Sequence, residues 1–128
     1  MSHGLSVRHM MSVLGKSKRK YTVKNIDGAP SGYFRINGWF DIEINPSLVR
    51  KEEASSVYLW HCYRKDGYLY TQPIADVRDV NIEDVDKIVS VWVKEVRSKS
   101  EISYLRDNCN LESIYNKCKA PYKIGIEK

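Results

Sequence analysis

The sequence predicts an α+β fold: a single small domain of mostly antiparallel sheet, packed with two to three helices and preceded by a basic N-terminal arm. Three observations point there. Apolar and polar side chains alternate from Tyr33 to Ile44, the period of a strand with one buried face. Further along, apolar residues recur at helical spacing. The cationic charge is crowded into one end of the chain. At 128 residues the length corresponds to one domain. With 42% hydrophobic residues it has the material for one ordinary core without staples.

The arm comes first. Residues 1–24 carry Arg8, Lys16, Lys18, Arg19, Lys20 and Lys24 and no Asp or Glu, a charge of +6. Of the 21 Lys and Arg, 15 lie beyond residue 24, against all 16 acidic residues, a net of −1. The chain therefore reads as a flexible basic arm, residues 1–20, on a near-neutral core domain, residues 21–128. Concentrated cations contribute about 1 kcal/mol each beside an anionic leaflet, and they gain affinity for nucleic acid by releasing counterions. The run Lys16-Ser17-Lys18-Arg19-Lys20 serves either partner, or nuclear import; as a solvated tail it would only keep the protein soluble. Ahead of it, Val7, Met10, Met11 and Leu14 follow i, i+3, i+4, i+7, with Gly15 as a stop. Such a stripe suits a membrane interface or a docked partner. Ser2-His3-Gly4 and His9-Met10 also read as an added leader, with the natural start at Met11.

In the body, residues 20–26 read as a short strand and residues 27–32 as a turn cluster. In the long strand that follows, Phe34, Ile36, Phe40, Ile42 and Ile44 point one way. Tyr33, Arg35, Asn37, Trp39, Asp41 and Glu43 point the other, with Gly38 as a bulge or close approach. Residues 47–65 admit two readings. Asn45-Pro46 resembles a helix start, with Ala54, Val57, Tyr58 and Cys62 facing the core. Alternatively, Lys65-Asp66-Gly67 joins two strands, 56–64 and 68–73, into a hairpin. Residues 81–98 form a helix capped by Asn81, with a stripe of Ile82, Val85, Ile88, Val89, Trp92 and Val96. A further helix is expected over 110–119, and Tyr122, Ile124 and Ile126 alternate as a last strand.

No catalytic, cofactor or metal site is expected. The seven glycines form no phosphate loop. His61 and Cys62 are adjacent, so they point apart and cannot serve each other as base and nucleophile. Cys62, Cys109 and Cys118 lack zinc spacing and suggest no disulfide framework. Glu83, Asp84 and Asp86 fit the first turn of a helix, where they favour its dipole. The best surface in the body is the outward face of the long strand, where Tyr33, Arg35 and Trp39 would lie side by side. Such a trio suits base stacking or a protein contact. No apolar run is long enough to span a membrane, and no secretory signal is visible, so an intracellular setting is expected.

The order of features resembles the start of the core domain of rhabdovirus matrix proteins, over roughly residues 16–80. The resemblance rests on the basic run Lys16 to Lys20 and the strand Tyr33-Phe34-Arg35-Ile36-Asn37-Gly38-Trp39-Phe40-Asp41-Ile42. An amphipathic segment ending at Tyr63 and the turn Lys65-Asp66-Gly67 complete it. It implies a viral structural protein of the virion that self-associates into homo-oligomers. It also implies a bridge between the nucleocapsid or its RNA and the anionic inner leaflet, in host cytoplasm or nucleus and peripheral at the membrane. Lys16, Lys18, Arg19 and Lys20 would meet the anionic partner, and residues 47–65 would be helical. Pro30, Pro46, Pro73 and Pro121 are isolated, so the chain lacks the PPxY and PTAP late motifs. The alternative from the residues alone is a small basic nucleic-acid-binding protein of a virus or phage.

Overall fold

Two Asp-Gly pairs turn the chain back on itself. Asp27 and Gly28 have φ of 51° and 86°, and Asp66 and Gly67 have φ of 53° and 80°. Two consecutive positive φ values make the tight turn whose twist matches paired strands, and glycine takes its share at no steric cost. The computed structural model describes residues 5–47, 54–108 and 122–126, and for Lys65 and 122–126 the backbone alone.

The first turn joins β1 (Thr22–Ile26) to β2 (Ala29–Arg35), and the second joins β4 (Ala54–Lys65) to β5 (Tyr68–Asn81). Between them lies β3 (Phe40–Pro46), and β6 (Tyr122–Ile126) closes the set. The six strands form one antiparallel sheet in sequence order, β1 to β6. The hairpin reading of residues 56–73 is therefore the right one. The helix expected over 47–65, and implied by the family resemblance, is replaced from Ala54 onward by a strand paired on both sides. The turn cluster shrinks to Asp27-Gly28, because residues 29–32 already pair with β1.

The long strand from Tyr33 is in fact two strands. The side-chain oxygen of Asn37 accepts the backbone N–H of Trp39 at 2.8 Å and of Phe40 at 3.1 Å, a local bond that competes with the ladder and reverses the chain. Gly38 belongs to this turn and faces open space. Alternation could not reveal the reversal. Phe34 pairs with Ile42 and Arg35 with Asp41, so even-numbered residues stay on one face on both sides of the turn.

Three helices, α1 (Val7–Leu14), α2 (Ile82–Ser98) and α3 (Glu101–Asn108), are described. Asn81 caps α2 by accepting from Glu83 N at 2.9 Å. Glu83 and Asp84 occupy its first turn and Arg97 its last, each matching the helix dipole. Its buried face is Ile82, Val85, Val89, Val93 and Val96, with Ile88 and Trp92 half-buried. Packing of that face overrides the weak helix propensity of four valines. Ser100 caps α3, accepting from Ser103 N at 3.1 Å. The helices meet the sheet face that carries Ile36, Phe40, Ile42, Ile44, Val57, Leu59 and Tyr63, and these join the helices in one core. The helix expected over 110–119, with Cys109 and Cys118, lies outside the described residues.

The N-terminal segment is part of this core. An eight-residue helix is marginal by itself, yet α1 is fixed at both ends. Ser6 accepts from His9 N at 3.1 Å, and Gly15 N donates to Met11 O at 2.9 Å. Met10 and Leu14 are fully buried and Leu5 is buried. Gly32 of β2 admits them: a Cβ there would lie 3.2 Å from Met10 Sδ and 3.3 Å from Leu14 Cδ1. From Leu5 onward, then, the expected flexible arm is folded against the sheet. The stripe is also redrawn. Met10 and Leu14 face inward, while Met11 is 56% exposed.

Candidate functional site

The basic run forms the turn between α1 and β1. Lys16, Lys18 and Lys20 are exposed and Arg8 lies on the exposed side of α1, whereas Ser17 and Arg19 are half-buried. The difference has one cause, Asp86 of α2. Its Oδ1 accepts from Ser17 Oγ at 2.9 Å, from Arg19 Nη1 at 3.2 Å and from the Tyr21 hydroxyl at 2.5 Å. Arg19 Nη1 also donates to Ser90 Oγ at 2.9 Å, and Arg19 N donates to Ser17 Oγ at 3.0 Å. Burial alone would push the Asp86 carboxyl up. The hydrogen bonds from Tyr21 and Ser17 and the Arg19 guanidinium outweigh it and hold its pKa below the usual carboxylate range. Burial and the bond to Asp86 raise the Tyr21 phenol, so it stays protonated as a donor.

Arg19 is therefore a structural anchor, and the other cations of the run stand free of ion pairs among the described residues. Met11, Leu14, Lys18, Lys20, Tyr21 and Val23 wall one hollow of about 480 Å3 at the end of α1. Its floor is apolar and its rim cationic. Asp86 joins this turn to α2, a role the sequence does not assign it. The sequence places it with Glu83 and Asp84 as dipole charge, yet the first turn of α2 holds Glu83 and Asp84, and Asp86 follows buried Val85. An acidic residue bordering an apolar stripe was the available signal.

The second candidate is the sheet face opposite the helices. Tyr33 and Arg35 are on it as expected, but Trp39 does not join them. Trp39 sits half-buried in the β2–β3 turn under the Arg64 guanidinium, 5.1 Å from its ring centre. The tryptophan of this face is Trp60 of β4, opposite Asp41, with Nε1 donating to Glu43 Oε1 at 3.1 Å. The hairpin reading of β4 would have assigned it outward, by its odd step from Leu59. Lys24 lies 5.7 Å from the Tyr33 ring centre, and Arg35 Nε pairs with Asp41 Oδ1 at 3.0 Å. Two hollows of about 370 and 450 Å3 adjoin at Tyr33 and Asp41. Lys24 and Arg35 are thus offset by Asp41 and Glu43, so the face is aromatic and mixed in charge.

His61 and Cys62 point to opposite faces. His61 is fully buried between Phe40 and Tyr63, with Nε2 2.6 Å from Glu101 Oε1. Burial lowers its pKa, only partly offset by the Glu101 carboxylate. The Cys62 thiol donates toward Thr71 Oγ1 at 3.5 Å, and burial pushes its pKa up, which disfavours the nucleophilic thiolate. Among the described residues, no group of three or more His, Cys, Asp or Glu is arranged to hold a metal ion, and no helix is long and apolar enough to cross a membrane. Compared with known proteins, the chain matches no family model, no curated protein and no solved structure.

Proposed function

We propose that the protein is a non-enzymatic, matrix-like viral structural protein that self-associates and bridges a nucleocapsid to the anionic inner membrane leaflet. The observation that supports this reading is the folded basic knuckle. Arg8, Lys16, Lys18 and Lys20 are exposed around Met11 and its apolar-floored hollow, while Arg19 fixes the turn to Asp86. Exposed cations beside an exposed thioether suit an anionic interface better than they suit water.

Magnitude explains why self-association belongs to the reading. Four cations at about 1 kcal/mol each give about 4 kcal/mol, a millimolar affinity. One copy is then a weak peripheral binder, and stable attachment needs many copies held together. Val91 and Ile102, 55% and 58% exposed, supply apolar surface on the helical side for such contacts.

The test is sedimentation with phosphatidylserine and with neutral phosphatidylcholine vesicles, at low and high salt. Residues 1–20 are not deleted, because Leu5, Met10 and Leu14 would leave the core with them. The variant is Lys16→Glu/Lys18→Glu/Lys20→Glu. The expected result is salt-sensitive pelleting with the anionic vesicles alone, lost in the variant. Pelleting of the variant like the parent chain would sink the reading.

A second reading has its own support. Tyr33 under Lys24, with Trp60 two strands away, is a stacking platform for single-stranded RNA. RNA binding that falls with Tyr33→Ala and Trp60→Ala, while vesicle binding stays absent throughout, would favour it. The mixed charge of that face makes it the weaker of the two.

A further inference from the structure

We propose that Ser17 is a phosphorylation site that switches the basic knuckle off. The inference rests on the membrane reading for its effect on vesicles, and on geometry alone for its effect on the fold. Ser17 is the one hydroxyl within the run Lys16 to Lys20, and cations flank it on both sides. A cationic flank of this kind is what a kinase with an acidic substrate groove selects. The hydroxyl also sits where added charge has the largest structural consequence. It donates to Asp86 at 2.9 Å and accepts from Arg19 N at 3.0 Å, so it is one of the three donors joining the knuckle to α2.

The chemistry balances without any group from this chain beyond the hydroxyl. A protein kinase aligns a nucleoside triphosphate with Ser17 Oγ. The new O–P bond forms as the bond between the γ-phosphorus and the bridging oxygen breaks. The hydroxyl proton passes to the kinase's base, and the nucleoside diphosphate leaves. The product carries about −1.5 to −2 charges at neutral pH. Two consequences follow at once. The donor to Asp86 is gone, and a dianion faces that carboxylate at contact distance, a repulsion that opens the turn. The same dianion cancels about two of the neighbouring lysine charges, the electrostatic switch by which basic membrane anchors are released.

The test uses the full chain in three forms: unmodified, Ser17→Ala, and carrying phosphoserine at position 17. Binding to phosphatidylserine vesicles and amide exchange over residues 7–21 without vesicles are both measured. The expected result is roughly 30-fold weaker vesicle binding for the phosphorylated chain and faster exchange over residues 7–21. Ser17→Ala removes one donor to Asp86 and adds no charge, so its exchange over residues 7–21 should rise less than that of the phosphorylated chain. Phosphorylated chain that binds vesicles as the unmodified chain does overturns the switch, and unchanged exchange overturns the release from α2. Should the unmodified chain ignore vesicles while exchange still rises on phosphorylation, the membrane reading falls and the release from α2 stands. A basophilic kinase with ATP that leaves Ser17 unmodified in the full chain overturns the site itself.

Discussion

The Tyr21 hydroxyl donates to the Asp86 carboxylate at 2.5 Å across 65 residues of sequence. With Ser17 and Arg19 on the same oxygen, this bond makes Asp86 the fastener between the basic segment and α2. Asp86→Asn should cost about 1–2 kcal/mol, a charge-assisted bond discounted for the partial exposure of the carboxylate. The fall in Tm measures it. The acid limb should change as well. A carboxyl whose folded pKa lies below its unfolded value stabilises the protein above the unfolded value, about 3.9. That contribution disappears as the pH falls through the folded pKa. Urea midpoints between pH 5 and pH 2 should drop less steeply in Asp86→Asn than in the parent.

Met10 and Met11 are neighbours with opposite fates, one fully buried and one 56% exposed. Met10→Ala should cost about 2–5 kcal/mol, and Met11→Ala should stay within about 0.5 kcal/mol. Chemical denaturation of the two variants checks the pair. Equal effects would mean that α1 does not pack as described.

Gly32 sets how closely α1 approaches the sheet. A single Cβ needs a few tenths of an ångström from Met10 and Leu14, which a flexible methionine can yield. Gly32→Val adds two further carbons against Leu14 and Ile44. It should cost about 1–3 kcal/mol and raise amide exchange along Val7–Leu14. Gly32→Ala should show much less of both.

His61 gives a second pH dependence, of the same direction and at higher pH. Burial holds its folded pKa below the ordinary value of about 6.5, against the pull of Glu101. Between the two values the unfolded chain binds the proton and the folded chain does not, so stability rises with pH there. The contribution is complete above about pH 6.5 and is lost as the pH drops toward the folded value. Urea midpoints from pH 8 to pH 5 should fall for the parent chain, with His61→Gln flatter over the same range.

Local signals were legible in the sequence wherever a short-range cause decides the structure. Asn81 before the Ile82–Val96 stripe announced α2, whereas Asp66-Gly67 signalled the hairpin against an equally open helix reading of residues 47–65. Tyr122 to Ile126 announced the last strand by alternation. The turn at Asn37 stayed hidden, because pairing Phe34 with Ile42 preserves the alternation through it. The role of α1 stayed hidden for a different reason. A basic, amphipathic eight-residue helix has the same pattern whether it meets lipid or its own sheet. Only the space above Gly32 decides between them, and that space is a property of the tertiary fold. Trp60 on the open face was readable by its odd step from Leu59 only once residues 54–65 are taken as a strand, and the place of Trp39 depends on the turn at Asn37.

The strand order carries one more consequence, for the protein during its synthesis. A meander pairs each strand with the one just made, so β1 to β4 can zip together as they leave the ribosome. The N-terminal segment meets β1 and β2 early, but its bonds to α2 must wait. Its partners Asp86 and Ser90 emerge 65 to 71 residues later, a delay of roughly 3–14 s at ordinary elongation rates. Through that interval α1 lacks its contacts with α2, and Arg19 lacks its carboxylate. The sheet from β1 to β4 can therefore form before the basic turn is fastened to α2.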